Sequence, residues 1–130
     1  MIRGYRDLEV WQLSMQLVER VFKMTGRLPD EQRFGLASQM QRAVISIPSN
    51  IAEGHAKRLG KDYPRHLRIA AGSVAELETQ IELCVRLGFL NREDIRQAWN
   101  DSQSIAKMLS RLIQRVSSKS SRNSQIRRPA

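Results

Sequence analysis

Apolar residues recur along this chain at intervals of three and four, the spacing of a helix face. In the first such stretch Val10, Leu13, Leu17, Val21 and Met24 make one stripe. Leu8, Trp11, Met15, Val18 and Phe22 make a second beside it. Together they cover a face wider than a surface helix of a monomer needs. The second stretch carries Leu36, Met40, Ala43, Ile47 and Ile51, and the third Leu67, Ala70, Val74, Leu77, Ile81, Cys84 and Gly88. Ala70, Ala71, Gly72, Ser73 and Ala75 leave room there for close helix approach. Ile95, Ala98, Ser102, Ile105, Leu109, Leu112 and Val116 form the fourth, widened by Trp99, Ala106 and Ile113.

Punctuation between the stretches predicts helices over about 7–25, 31–56, 60–87 and 92–116. Asp7, Asp30 and Asn91 are suited to N-caps, with acidic residues following in the first turn. Gly26 and Gly88 close the first and third helices. Gly54 is expected to open a connection that runs to a third helix beginning near Gly60, with Pro64 in its first turns. Four helices with short links predict an all-α, up-down-up-down antiparallel four-helix bundle over residues 1–116.

Pro48 stands inside the second stretch. It lacks an N–H and clashes with the carbonyl of Val44, so a kink is expected. Two helices broken at Ile47 are the alternative. The apolar stripe keeps its phase across the proline, which favours one proline-kinked second helix. Hydroxyls of Ser46 and Ser49 are placed to satisfy a freed carbonyl. From Ser117 onward the sequence SSKSSRNSQIRRPA has no acid and little to bury, so 117–130 reads as a disordered basic tail.

Composition then narrows the function classes. The 130 residues carry 22 Lys and Arg against 13 Asp and Glu, a net charge of +9. That excess suggests a polyanionic partner, most simply nucleic acid, although a basic protein need not bind anything specific. A single cysteine, Cys84, excludes an internal disulfide and fits a reducing compartment, so a cytoplasmic location is expected. No signal-like or membrane-spanning segment is read in the sequence.

Catalytic and metal chemistry find no support. Glu-x-x-His, the mark of a di-iron bundle, is absent, and His55 and His66 fall at the expected connection as surface imidazoles. No nucleophile elbow, phosphate loop or dinucleotide fingerprint occurs. Cys84 lies on an apolar stripe without a basic neighbour at helical spacing and reads as an inert buried thiol. The chain is therefore expected to be no enzyme and to need neither cofactor nor metal.

Two groups of polar residues remain. Arg42, Ser46, Asn50 and Glu53 step by three and four through Gln39–Gly54, beside Pro48 and Gly54. A structural reading pairs Arg42 with Glu76 or Glu53 and bonds Asn50 to backbone near the proline, fixing helix register. A ligand site is the other reading. The second group is basic: Lys57, Arg58, Lys61, Arg65 and Arg68 at the connection, then Arg115, Lys119 and Arg122 toward the C-terminus. These are the candidate contacts to RNA or DNA phosphates, with little sequence preference. Tyr5 and Tyr63 are the only tyrosines available to stack on bases. A scaffold that docks a partner protein, its charge serving only to steer, is the alternative function.

D-L-E-V-W-Q at Asp7–Gln12, L-x-x-Q-M-Q-R-A at Leu36–Ala43, S-I-P-S-N-I-A-E-G at Ser46–Gly54 and I-A-A-G-S-V-A-E-L-E-T-Q at Ile69–Gln80 carry a resemblance. The chain resembles, over about 5–116, the four-helix bundle proteins of the 23S rRNA intervening-sequence family. The accessory variability protein of diversity-generating retroelements looks like a relative, a basic homopentamer that binds nucleic acid and a reverse transcriptase. The resemblance implies a homo-oligomeric ring, expected to be a pentamer, with the wide face of the first helix at a subunit contact. The chain departs from the family pattern at Leu59, where a helix-starting serine is common, and at Pro64.

Overall fold

A computed structural model describes the backbone over residues 3–127 and the side chains over 3–118. Four helices form: α1 Glu9–Thr25, α2 Leu36–Ala56, α3 Tyr63–Arg86 and α4 Arg92–Arg127. Each packs on its neighbours in sequence and α1 packs on α4, with no diagonal pairing. Cross-helix contacts set the directions. Met40 meets Cys84, Ser46 meets Ser73 and Asn50 meets His66, so α2 and α3 run antiparallel. Glu78 with Gln103 and Arg68 with Ser117 do the same for α3 and α4. Arg27 with Asp94 and Arg20 with Asp101 do so for α1 and α4. The predicted four-helix bundle is the observed fold.

The helix starts differ from expectation for local reasons. Asp7 does not cap α1. It ends a 3-10 turn over Tyr5–Asp7 and accepts the Arg3 N–H at 2.8 Å, while Leu8, in extended conformation, precedes the helix. Asp30 likewise opens a 3-10 turn, Asp30–Gln32, and α2 begins only at Leu36. Gly35, at φ −111° and ψ −108°, lies outside helical geometry, so a helix cannot propagate through it from Glu31. α3 begins at Tyr63 with Pro64 in its first two positions, where a missing N–H goes unnoticed. The helix thus starts at Tyr63, three residues later than the expected start near Gly60, with Pro64 at a position that suits a helix start.

Both ends of the α3–α4 link are built as the sequence suggests. Gly88 takes φ +78°; its N–H reaches Val85 O at 3.0 Å and the Phe89 N–H reaches Cys84 O at 2.9 Å. That is a Schellman closure, which only glycine adopts cheaply. Asn91 Oδ1 then accepts the Asp94 N–H, and Asp94 Oδ2 accepts the Asn91 N–H, both at 2.9 Å. The result is a reciprocal capping box. The Asp94 carboxyl is held below its usual range, chiefly by that backbone N–H and also by Arg27.

α2 continues through Pro48 as one helix and through Gly54, which therefore sits inside α2 and does not open the connection. Helix α4 extends well past the expected end near 116, to Arg127. No glycine or proline interrupts α4 before Pro129. Lys119 and Arg122 lie outside the residues whose side chains are described.

Leu17, Val21, Met40, Ile47, Ile51, Leu67, Leu77, Ile81, Ile105 and Leu109 fill the core. On α1 one stripe is buried, but Met15 and Phe22 on the other are 43% and 41% exposed. Cys84 is fully buried against the Met40 sulfur at 3.6 Å, and burial pushes its thiol pKa up. An inert thiol is what that environment produces.

Candidate nucleic-acid interface

The antiparallel arrangement brings the start of α1, the α2–α3 connection and the later turns of α4 to one end of the bundle. Arg3, Arg6, Lys57, Arg58, Lys61, Arg65, Arg68, Arg111 and Arg115 therefore meet there, although they come from three separate stretches of sequence. The carboxylates at this end are Asp7, Glu9, Glu53 and Asp62. Lys57 pairs with Glu53 at 3.2 Å and Arg65 with Asp62 at 3.7 Å. Arg58, Lys61, Arg68, Arg111 and Arg115 have no carboxylate within ion-pair distance among the described residues. Toward the opposite end four arginines are ion-paired, Arg27 with Asp94, Arg92 and Arg86 with the one Glu82 carboxylate, and Arg96 with Glu93, while Lys23 and Arg33 have no carboxylate within ion-pair distance among the described residues. Hydrogen bonds from Arg92 lead the causes that hold the Glu82 carboxyl low.

Each basic side chain is placed by local structure. Lys57–Asp62 is a short link tied by Arg58 N to His55 O at 3.1 Å and Gly60 N to Lys57 O at 2.9 Å. The Arg58 guanidinium folds back to donate to His55 O at 3.1 Å. One turn into α3, Arg68 donates to Ser117 Oγ on α4 at 3.3 Å. Arg111 and Arg115, one turn apart, line a groove of about 730 Å³ between α4 and Asp7–Val10. Arg111 was not among the residues singled out from sequence; its spacing of four from Arg115 was the available signal.

Neither tyrosine is presented for stacking. Tyr63 is 7% exposed, its ring edge-on to His55 with centroids 5.7 Å apart. Tyr5 is half-buried and packs edge-to-face on Trp11 at 5.3 Å. His55 and His66 are also buried, not surface imidazoles: His55 lies within α2 and His66 in the first turns of α3. Burial and the charge of Arg58 lower the His55 pKa. Burial raises that of Tyr63, against the opposing pull of Arg58 and Arg115.

Beside this end a polar ladder joins α2 to α3. Asn50 Nδ2 donates to Ser46 O at 2.9 Å and to Ser46 Oγ at 3.0 Å. Ser46 Oγ also accepts from Ser73 Oγ at 2.9 Å. With its amide nitrogen so used, Asn50 turns Oδ1 to His66 Nδ1 at 3.1 Å, so that ring nitrogen carries the proton. The Ser46 hydroxyl thus faces α3 and not a carbonyl freed by Pro48, and Ser49 is exposed. Arg42 is exposed and forms no ion pair with Glu76 or Glu53 among the described residues. Glu76 instead accepts from Gln80 at 3.3 Å, and Glu53 faces Lys57, with His66 Nε2 3.9 Å away. The Asn50 part of the register reading has a structural counterpart; the Arg42 pair does not.

Among the described residues no cluster of three His, Cys, Asp or Glu could hold a metal ion, and no helix is long and apolar enough to cross a membrane.

The fold has a solved counterpart. A protein with unknown function from the S23 ribosomal protein family of Bacteroides thetaiotaomicron VPI-5482, known from a 1.70 Å crystal structure, superposes with a TM-score of 0.74. It is 30% identical, over 81% of this chain and 95% of that one. No curated protein matches the chain. The description "23S rRNA-intervening sequence protein" matches residues 6–111, nearly the whole bundle before the last turns of α4, and the chain belongs to that family.

Proposed function

We propose that this protein is a non-enzymatic helical bundle whose basic end binds the phosphate backbone of nucleic acid with little sequence preference. One observation carries the reading. Cations without a carboxylate partner among the described residues, Arg58, Lys61, Arg68, Arg111 and Arg115, collect at one end, while at the other Arg27, Arg86, Arg92 and Arg96 are ion-paired. Phosphate contacts of this kind release counterions, so affinity falls steeply with salt and depends little on base sequence. Buried Tyr63 and Trp-packed Tyr5 leave backbone contacts, not base stacking, as the source of affinity.

The test is a salt titration of the full chain against a labelled mixed-sequence single-stranded RNA and its DNA equivalent. Replacing Lys57, Arg58, Lys61 and Arg65 together by Ala lowers both affinity and salt slope; Lys23→Ala with Arg33→Ala, toward the other end, leaves both in place. Equal binding by the two variants overturns the role of the basic end.

A second reading has its own observation. Met15 and Phe22 stay exposed on α1, and Ile45 is 45% exposed on the adjoining α2. Exposed apolar side chains of this kind suit a homo-oligomer, for which the pentamer expected above is the specific form, or a docked partner protein. Sedimentation of wild type and of Phe22→Glu distinguishes these: a shift to monomer supports self-association, and an unchanged monomer leaves the face to a different protein.

A further inference from the structure

The groove between α4 and the start of α1 carries both signs of charge, one on each side. From α4 come Arg111 and Arg115, one turn apart, about 6 Å along the helix axis. From Asp7–Val10 come the carboxylates of Asp7 and Glu9. Asp7 uses Oδ2 to accept the Arg3 N–H at 2.8 Å, and Glu9 is exposed. Two cations and two carboxylates thus border one space, yet no ion pair joins the two sides among the described residues. The rest of the lining is mostly apolar: Met108 and Leu112 are half-buried, and Leu8 is buried. A volume of about 730 Å³ lies within the range of clefts that take small organic groups.

We infer that this groove seats one unpaired nucleotide of a single-stranded nucleic acid, its phosphate on Arg111 and Arg115 and its base edge toward Asp7 and Glu9. A nucleotide complements both sides in a single unit. Guanidinium donors match phosphate oxygens two at a time. Carboxylates accept from amino and ring N–H groups on base edges. Every base offers at least one such donor, so the seat adds little sequence preference. The apolar lining shelters the ring system without an aromatic stack. A base reaches a protein groove only when it is unpaired and unstacked, so the seat selects single strands over duplex. The inference rests on the nucleic-acid reading above and deepens it: Arg58, Lys61 and Arg68 hold phosphates of either form, and the groove chooses the form. A segment of a partner protein bearing both charges is the competing occupant. The cations at this end without carboxylate partners among the described residues favour a polyanion over it.

The experiment measures binding of the full chain to one labelled mixed-sequence RNA, as a single strand and as a duplex with its complement, at one low salt concentration. Charge alone favours the duplex, which carries the denser array of phosphates. Wild type is expected to prefer the single strand. Replacing Arg111 and Arg115 together by Ala lowers single-strand affinity about tenfold more than duplex affinity, as for lost charge-assisted contacts. Lys61→Ala, at the same end but outside the groove, lowers both by about the same factor. Glu9→Ala separates the seat from a merely basic surface. On such a surface, removing a carboxylate raises affinity for both forms; in the seat it removes a base-edge acceptor and lowers single-strand affinity alone. All of these side chains are exposed, and an unchanged Tm shows that the bundle is intact. A duplex bound as tightly as the single strand, groove variants that change both forms alike, or a rise for both in Glu9→Ala overturns the seat and leaves nucleic-acid binding standing. Groove variants without effect on either form overturn it too, and leave the groove to a partner protein. Absence of binding to both forms brings down the nucleic-acid reading and the seat with it.

Discussion

Asn50 on α2 and His66 on α3 share a hydrogen bond of 3.1 Å, and Asn50 reaches it only because its amide nitrogen is committed to Ser46. This pair, with Ser73 on Ser46, is the polar seam that sets how α2 and α3 slide along each other. Asn50→Ala removes the acceptor for a buried ring N–H and is expected to destabilise the fold by about 1–3 kcal/mol. Urea unfolding measures this. A midpoint unchanged from wild type refutes the seam.

Four residues along the same helix, Gly54 is a close-contact glycine. A Cβ there would lie 2.8 Å from His66 Cβ and 3.0 Å from Tyr63 Cδ1, both on buried side chains. Gly54→Ala is expected to lower stability by about 1–3 kcal/mol through overpacking, less the roughly 1 kcal/mol that alanine contributes to a helix interior. Gly72 on α3 is the opposite case: a Cβ there would meet nothing within 4 Å. Gly72→Ala should therefore stabilise by about 0.5–1 kcal/mol. Opposite shifts in Tm for the two substitutions are the signature.

Acid sensitivity follows from His55. Its folded-state pKa lies below the ordinary 6.5, because burial and then Arg58 disfavour the imidazolium. The unfolded chain thus binds the proton first. Stability from this group is complete above about pH 6.5 and is lost as pH falls from there toward the folded pKa. His55→Gln should flatten the fall in Tm as pH drops below about 6.5; an unchanged slope would assign that fall to other groups.

The capping box at the start of α4 offers an independent test. Asn91→Ala removes the acceptor for the Asp94 N–H and is expected to cost about 1 kcal/mol. The same change made in an Asp94→Ala background should cost less, since the two caps are reciprocal. Full additivity in denaturant unfolding would deny the coupling.

Some of this was written in the chain itself. Three-and-four spacing of large apolar residues specifies helices and their buried faces, because a helix repeats every 3.6 residues whatever it packs on. Leu17, Val21, Ile47, Ile51, Leu77 and Ile105 are buried as that spacing requires. Asn91 and Gly88 act locally, through backbone groups a few residues away, and were equally legible. The family motif around Ser46–Gly54 was visible too, but its purpose was not. That Gly54 is a contact surface for His66 and Tyr63, that Asn50 bonds His66, and that Arg42 leaves Glu76 alone depend on where α3 lies. The basic end divides the same way. Net charge is a property of composition, whereas the meeting of Arg58, Arg68 and Arg115 at one end needs α3 and α4 to return alongside their neighbours. Helix periodicity is short-range and can be read residue by residue; register and the partners of polar side chains are long-range, and only the packed bundle decides them.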